Sequence, residues 1–196
     1  NKIANSFDKT RYRSWSCVER FLDSLSKETF IGDIGCGNGK NMYNKHLKFE
    51  GCDFSQSMVE ICQSKGLNVQ YGDILNLPYR DDYFDDTICV AVLHHLSTYT
   101  HRKKAIDELK RVTKKDGLIF VLVWAFERYE QSKHTYKQQD VIIPWKSKDR
   151  TILGQRYYHL FTQCEIHELF KSEIYELFHE KNNWGIILKN TVGHNT

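Results

Sequence analysis

No apolar run in the chain approaches the roughly eighteen residues of a membrane-spanning helix, and no charged-then-apolar leader opens it. The expectation is a soluble protein of the cytoplasm, with the nucleus as a second location, and no membrane partner. Cysteines are present, at Cys17, Cys36, Cys52, Cys62, Cys89 and Cys164, but no two are spaced C-x-x-C. Most sit inside apolar patterns, which argues for reduced, buried thiols and against a disulfide set or a metal site. Repeats, low-complexity tracts and composition breaks are also lacking. With 40% hydrophobic residues, the 196-residue chain reads as a single domain over 1–196 with one sizeable core. The net charge, +3, is too small to name a partner. Its distribution says more: residues 1–20 carry five basic and two acidic side chains, residues 101–115 seven and two, and residues 131–156 six and two. On one face these surpluses would make a phosphate-binding surface; taken singly they are solvated helix and loop.

What is present is alternation. A helix about 13–25, amphipathic from Ser14 to Leu25, precedes a short apolar strand, Phe30 to Ile34, that runs into a glycine loop and a helix starting near Asn38. A second strand, Phe49 to Phe54, leads to a helix from Gln56 to Ser64, and the alternation of "NVQYGD", Asn68 to Asp73, suits a third strand at a sheet edge. Phe84 to Leu93 has the β-branched and aromatic content of a buried parallel strand. Ala105, Ile106, Leu109 and Val112 share one face of a helix whose other face is basic, and Asp116-Gly117 ends it. "LIFVLVWA", Leu118 to Ala125, is the strongest strand pattern; the tail adds a helix from Gln163 to Phe170 and the strand-like "EIYELFHE" and "NWGIILKN". Only 127–154 is poorly patterned, and it is expected to be a long functional loop with some local structure. Such alternation predicts an α/β sheet with helices on both faces and ligand chemistry at the carboxyl ends of its strands.

The glycine loop reads "TFIGDIGCGNGK", Thr29 to Lys40, with Gly35, Gly37 and Gly39 spaced G-x-G-x-G. Glycine permits a tight turn and lets a ligand lie against bare backbone, but a glycine turn alone is weak evidence. Acids at three successive strand ends strengthen it: Asp33, Asp53 and Asp73. A carboxylate about twenty residues beyond such a loop can accept both hydroxyls of a ribose.

That combination resembles the class I S-adenosylmethionine-dependent methyltransferases, through "DIGCGNG", "CDFSQSM", "GDILNLPY" and "FDDTICVAVLHHL". The resemblance implies a Rossmann-like fold with a mostly parallel seven-stranded sheet, and S-adenosylmethionine as cofactor. It implies that Asp33 organises the methionine end, that backbone at Gly35, Cys36 and Gly37 packs against the cofactor, and that Asp53 with Phe54 holds the ribose side. Asp73 and Ile74 would bound the adenine, and Ala91 would lend backbone near the methionine. Enzymes that methylate planar amino nitrogens share an N/D-P-P-Y/F motif where this chain has "AVLHHL", and the cysteine nucleophile of 5-methylcytosine enzymes has no counterpart, since Cys89 lies within the strand. A hydroxyl acceptor would want a base, for which His94 or His95 could serve. A carboxylate acceptor, ionised above a pKa of about 4, would need alignment instead.

More closely, "TRYRSW", "AVLHHLST", "VWAFE", "QDVIIPW", "RYYHLF" and "EKNNWGIILKN" resemble the tRNA wobble-uridine carboxymethyl methyltransferases. The resemblance implies esterification of 5-carboxymethyluridine in the tRNA anticodon stem-loop, and a heterodimer with a small zinc-binding activator subunit shared by several methyltransferases. Arg11, Arg13 and Arg156 could pair with phosphate or the substrate carboxylate, and Tyr12, Trp15, Tyr157 and Tyr158 could stack an extruded base. Arg11, His94 and His95 are the catalytic candidates; His159 is as readily structural. The segment between "PW" and "RYYHLF" is shorter here than the insertion that related enzymes often carry. The same cofactor motifs would also serve a small-molecule O-methyltransferase, or a binding module that has lost catalysis.

Overall fold

The computed structural model describes residues 13–128, 136–146 and 151–193. Nine strands are assigned there: β1 Phe30–Ile34, β2 Lys48–Asp53, β3 Val69–Tyr71, β4 Asp86–Val90, β5 Leu118–Trp124, β6 Asp140–Lys146, β7 Ile152–His159, β8 Ile174–Glu180 and β9 Asn183–Lys189. The α-helices are α1 Ser16–Ser24, α2 Gln56–Ser64, α3 Tyr99–Val112 and α4 Gln163–Phe170. Seven strands form one sheet in the order β3-β2-β1-β4-β5-β9-β8, with β1 to β5 parallel and β9 antiparallel to both its neighbours, β5 and β8. The chain first steps outward from β1 to β3 and then returns to lay β4 on the other side of β1. That reversal opens a crevice at the carboxyl ends of β1 and β4.

Parallel strands covered on both faces should be apolar throughout, and β1, β4 and β5 are buried over most of their length. On one face Cys89, Ile119, Val121 and Val123 pack against Ala105, Ile106, Leu109 and Val112 of α3 and Ile166, Leu169 and Phe170 of α4. On the other, Ile88, Val90, Phe120 and Leu122 meet Cys17, Val18, Phe21 and Leu22 of α1. The 3.6-residue period of α3 places its four core side chains in one stripe, each adding roughly 1–3 kcal/mol of burial, and the Thr98 side chain caps its start by accepting the N–H of His101.

Three expectations are corrected. No helix starts near Asn38: residues 35–47 are turns, closed by Gly39 N–H to Cys36 O and Met42 N–H to Gly39 O, with the Asn44 side chain accepting the His46 N–H. Gly39 has φ 74°, and a segment rich in Gly and Asn that must reach β2 by Lys48 favours turns over a helix. The strand expected over 84–93 is shorter, and Leu93–His95 form a 3₁₀ turn. The region 127–154 contains strand β6, paired antiparallel with β7 as a two-stranded ribbon. Of the cysteines, Cys164 is exposed and the other five are buried and free. No described helix is long and apolar enough to cross a membrane.

The basic surplus over 101–115 is largely consumed within the molecule. Arg102 pairs with Glu165, Lys103 with Asp107, Lys110 with Glu173, Arg111 with Glu108 and Asp81, and Lys114 with Asp85. A helix face so paired offers a phosphate backbone far less than its charge count suggests.

Candidate functional site

A cavity of about 950 Å³ occupies the crevice. Its floor is the glycine loop. Gly35 and Gly37 sit at φ 75° and 57°, and a Cβ on Gly35 would lie 2.3 Å from Val92 Cγ2, so a side chain there would collide with the β4 loop. Asp53, at the end of β2, accepts the N–H of Gly37 through Oδ2 and that of Ser55 through Oδ1, both at 2.8 Å. Burial raises its pKa and those two N–H groups pull it back. Asp73 Oδ1 accepts the Leu75 N–H at 2.9 Å, and Ile74 is buried beside it. Phe54 is exposed, with its ring 5.6 Å from Tyr71. Ala91 holds φ 63°, uncommon for a residue with a side chain, and donates its N–H to Leu122 O at 2.8 Å.

Asp33 differs from the expectation. It does not line the cavity; its carboxyl is fully buried under the loop, and neither oxygen accepts a complete hydrogen bond among the described residues. Burial pushes its pKa up to about 7, with the Asn41 side chain and Lys40 opposing and the Asp53 charge adding.

The other end of the cavity is aromatic and basic. Strand alternation sends Arg156 and Tyr158 of β7 inward, while Tyr157 turns away, its hydroxyl donating to Asp140. Tyr157 is therefore not a stacking residue of the cavity. Tyr158 stacks on Trp124 at 4.4 Å and on His94 at 5.0 Å, and the Arg156 guanidinium lies over Trp145 at 4.4 Å and Tyr158 at 5.1 Å. His94 is buried, and its Nδ1 accepts the Trp124 N–H at 3.3 Å. Burial, then the His95 and Arg156 charges, hold its pKa well below the usual range, so the ring is neutral with its proton on Nε2. His95, at the exposed mouth, donates from Nδ1 to Tyr157 O at 2.9 Å, and surrounding protein lowers its pKa as well.

Arg13 and Trp15 line the same cavity. Ser14 between them fixes the segment, donating to Asn41 Oδ1 at 2.8 Å and Lys40 O at 3.2 Å. Arg11 and Tyr12 lie outside the described residues. His159 is not in the cavity; it sits between Asp140 and Glu165. Sequence reasoning missed Met58, Asn41, Lys40 and Trp124, all of which line the cavity. For Trp124 there was a signal, an aromatic residue at the carboxyl end of a parallel strand; Asn41 and Lys40 are brought in only by the turns after the glycine loop.

The residues fit S-adenosylmethionine. An orphaned, buried carboxyl near a loop of bare backbone suits a cationic ligand, and Asp53 keeps lone pairs beyond its two N–H bonds for a diol.

A family model described as a methyltransferase domain matches residues 32–121. Among solved structures, an S-adenosylmethionine-dependent methyltransferase from Clostridium acetobutylicum superposes with a TM-score of 0.71 over 99% of both chains, at 16% identity. A Haloferax volcanii protein solved in complex with the Trm112 methyltransferase activator superposes at 0.68, covering 97% of this chain and 94% of its own, at 15% identity. The fold is that of the class I S-adenosylmethionine-dependent methyltransferases. The tRNA (carboxymethyluridine(34)-5-O)-methyltransferase of Arabidopsis thaliana is 47% identical over 131 residues, 66% of this chain and 32% of that protein. The protein of the same name from Schizosaccharomyces pombe is 34% identical over 212 residues, 95% of this chain and 92% of its own length. The chain belongs to the tRNA (carboxymethyluridine(34)-5-O)-methyltransferase family, and it spans about a third of the length of the plant relative.

Proposed function

We propose that the chain esterifies the carboxylate of 5-carboxymethyluridine at the wobble position of tRNA, using S-adenosylmethionine. The observation that carries this reading is the acceptor end of the cavity: an arginine and an N–H donor among aromatic rings. His94 has its Nδ1 occupied by a backbone donor and its pKa held low. A hydroxyl or amine acceptor would need its proton removed; a carboxylate does not, being ionised already at neutral pH. Arg156 is the group to hold that carboxylate, through a guanidinium kept planar between Trp145 and Tyr158. The His94 Nε2–H is a second donor to the same anion. Trp124 and Tyr158, stacked on each other, wall the uracil's end of the cavity, and Arg13 and Trp15 close over it from the amino-terminal side.

When bound, S-adenosylmethionine supplies a methyl group on a sulfonium, and the chain's part is to place a carboxylate oxygen in line with it and keep water out. Asp53 would accept the ribose hydroxyls, Asp73, Ile74 and Phe54 bound the adenine, and Asp33 compensates the positive charge near the methionine end.

A small Trm112-type activator subunit is the expected partner, adding a strand at β3. This strand is at the sheet edge, and next to it Phe54 and Tyr71 are 65% and 50% exposed. The test is transfer of labelled methyl to tRNA bearing 5-carboxymethyluridine by the chain with its activator. Ester formation is expected with the wild type, and Arg156→Ala should lower kcat/KM by a hundredfold or more, on the order of 3 kcal/mol. No transfer by the wild type would sink the reading.

A further inference from the structure

His94 and His95 are neighbours in the 3₁₀ turn after β4, both line the cavity, and the backbone holds them in opposite tautomers. The Trp124 N–H donates to His94 Nδ1 at 3.3 Å, so His94 carries its proton on Nε2. In His95 the same ring nitrogen faces a carbonyl, Tyr157 O at 2.9 Å, and must carry the proton itself. Its Nε2 is left with a lone pair, which no described residue engages, on a ring exposed at the cavity mouth. Burial lowers the His95 pKa, the Tyr157 carbonyl opposes and the Arg156 charge adds, so that lone pair is intact at neutral pH.

The site thus offers one donor and one acceptor side by side, on rings whose centroids are 4.5 Å apart. The donor, His94 Nε2–H, is the buried one and feels the Arg156 charge, at the end that takes the carboxylate. The acceptor lies nearer the mouth. A carboxylate has no use for it, because its oxygens only accept, and its attack on a methyl group releases no proton for a base to take. A pyrimidine whose C5 arm ends at His94 and Arg156 must hold its ring further out, level with His95. Uracil presents two carbonyl acceptors and a single ring donor, N3–H, so that group alone on the base can satisfy the Nε2 lone pair; cytosine has no hydrogen at N3. We propose that His95 Nε2 accepts the uracil N3–H and thereby sets the base specificity of the acceptor site. The proposal rests on the reading of this end of the cavity as the site of a 5-carboxymethyluridine.

The experiment measures methyl transfer by the chain with its activator to anticodon stem-loop RNAs carrying 5-carboxymethyluridine, its N3-methyl analogue or its 2′-deoxy analogue, for wild type, His95→Ala and His95→Gln. Wild type should lose on the order of a hundredfold in kcat/KM on N3 methylation, through the lost hydrogen bond and the methyl's clash with the ring. His95→Ala, which removes the acceptor and makes room, should be about tenfold weaker on the parent RNA and should treat it and the N3-methyl RNA alike to within about threefold. His95→Gln, whose Oε1 can accept, should recover part of the discrimination. A merely structural role, through the Nδ1 bond to Tyr157, would lower activity equally on both RNAs and leave their ratio as in wild type; that outcome overturns the proposal. So would a wild type indifferent to the N3 methyl, or a 2′-deoxy penalty that vanishes in His95→Ala, which would give Nε2 to the ribose hydroxyl. Failure of the functional reading shows separately, as absent wild-type transfer to the 5-carboxymethyluridine RNA, and takes the proposal with it.

Discussion

Asp33 and Asp53 stand at the ends of neighbouring parallel strands and meet different environments. Asp53 is answered by two backbone N–H groups and Asp33 by none among the described residues, and full burial, uncompensated by such donors, pushes the Asp33 pKa up to about 7 from 3.8. Between those values the folded chain holds a proton that the unfolded chain has released. Stability of the ligand-free protein therefore falls as pH rises from about 4 to about 7 and is flat in this group above that. A cationic ligand reverses the preference, because it favours the carboxylate. Calorimetry should find affinity for S-adenosylmethionine rising between pH 5.5 and 7, by up to about a decade per unit, then levelling. Asp33→Asn should bind more weakly and without that slope; a slope that survives in the variant would show that another group titrates. The acids were legible in the sequence because strand ends recur at regular intervals and carry them. Trp124 was not assigned a role, since its meaning depends on Tyr158 arriving from another part of the chain.

The ribbon of β6 and β7 is the element that makes the acceptor end, and it is tied down by one network centred on the buried His159. His159 bonds Asp140 through Nδ1 at 2.7 Å and Glu165 through Nε2 at 2.8 Å. Glu165 also takes Arg102, whose Nη1 donates to Leu96 O, and the Gln139 side chain. These contacts join the ribbon to α3, α4 and the turn that carries His94. Burial works to lower the His159 pKa, but the Glu165 and Asp140 carboxylates outweigh it and the net shift is upward. The linkage sign follows: the stabilisation is complete below the unfolded value of about 6.5 and is lost as pH rises through the raised folded value. His159→Gln should cost on the order of 2 kcal/mol below pH 6.5, about 4–8 °C in Tm, and less at alkaline pH. It should also lower kcat/KM while leaving cofactor affinity intact, because Arg156 and Tyr158 ride on the ribbon and the glycine loop does not. Equal Tm gaps at pH 6 and pH 9 would remove the titrating role. Among the elements, α3 and β5 were plain from periodicity and apolar content alone. Strand β6 was hidden because Pro144 and mixed polarity argue against a sheet; a two-stranded ribbon tolerates both, since each strand has a free edge. The helix expected after the glycine loop failed for the converse reason: local Gly and Asn turn chemistry overrode the usual strand-to-helix succession.

At the scale of the whole molecule, the sheet has two edges with different characters. Strand β8 carries a register shift between Ile174 and Glu176, an irregularity that discourages pairing with another chain. Strand β3 has none, and only three residues define it. Its hydrogen bonds show which groups are spare: Gly51 N–H reaches Asn68 O, and Gly72 N–H reaches Asp53 O. By the alternation of a parallel ladder, Asn68, Gln70 and Gly72 face β2, whereas Val69 and Tyr71 turn their N–H and C=O away from it, the Val69 C=O accepting from Gln63 Nε2 at 3.0 Å. A strand added by the activator would bond chiefly to Tyr71 and cover the Tyr71 and Phe54 rings. Proline at Tyr71 removes one outward donor and none of the sheet's own bonds, and proline is tolerated in an edge strand when its missing N–H faced solvent. Tyr71→Pro should therefore fold and bind S-adenosylmethionine, yet fail to co-purify with the activator and lose tRNA methylation in its presence. The replacement Gln70→Pro would strike the bond to β2 and should lower Tm as well, which separates loss of the edge from loss of the strand. Normal complex formation by Tyr71→Pro would move the partner to another face, because no strand can pair along β3 without that N–H at full strength.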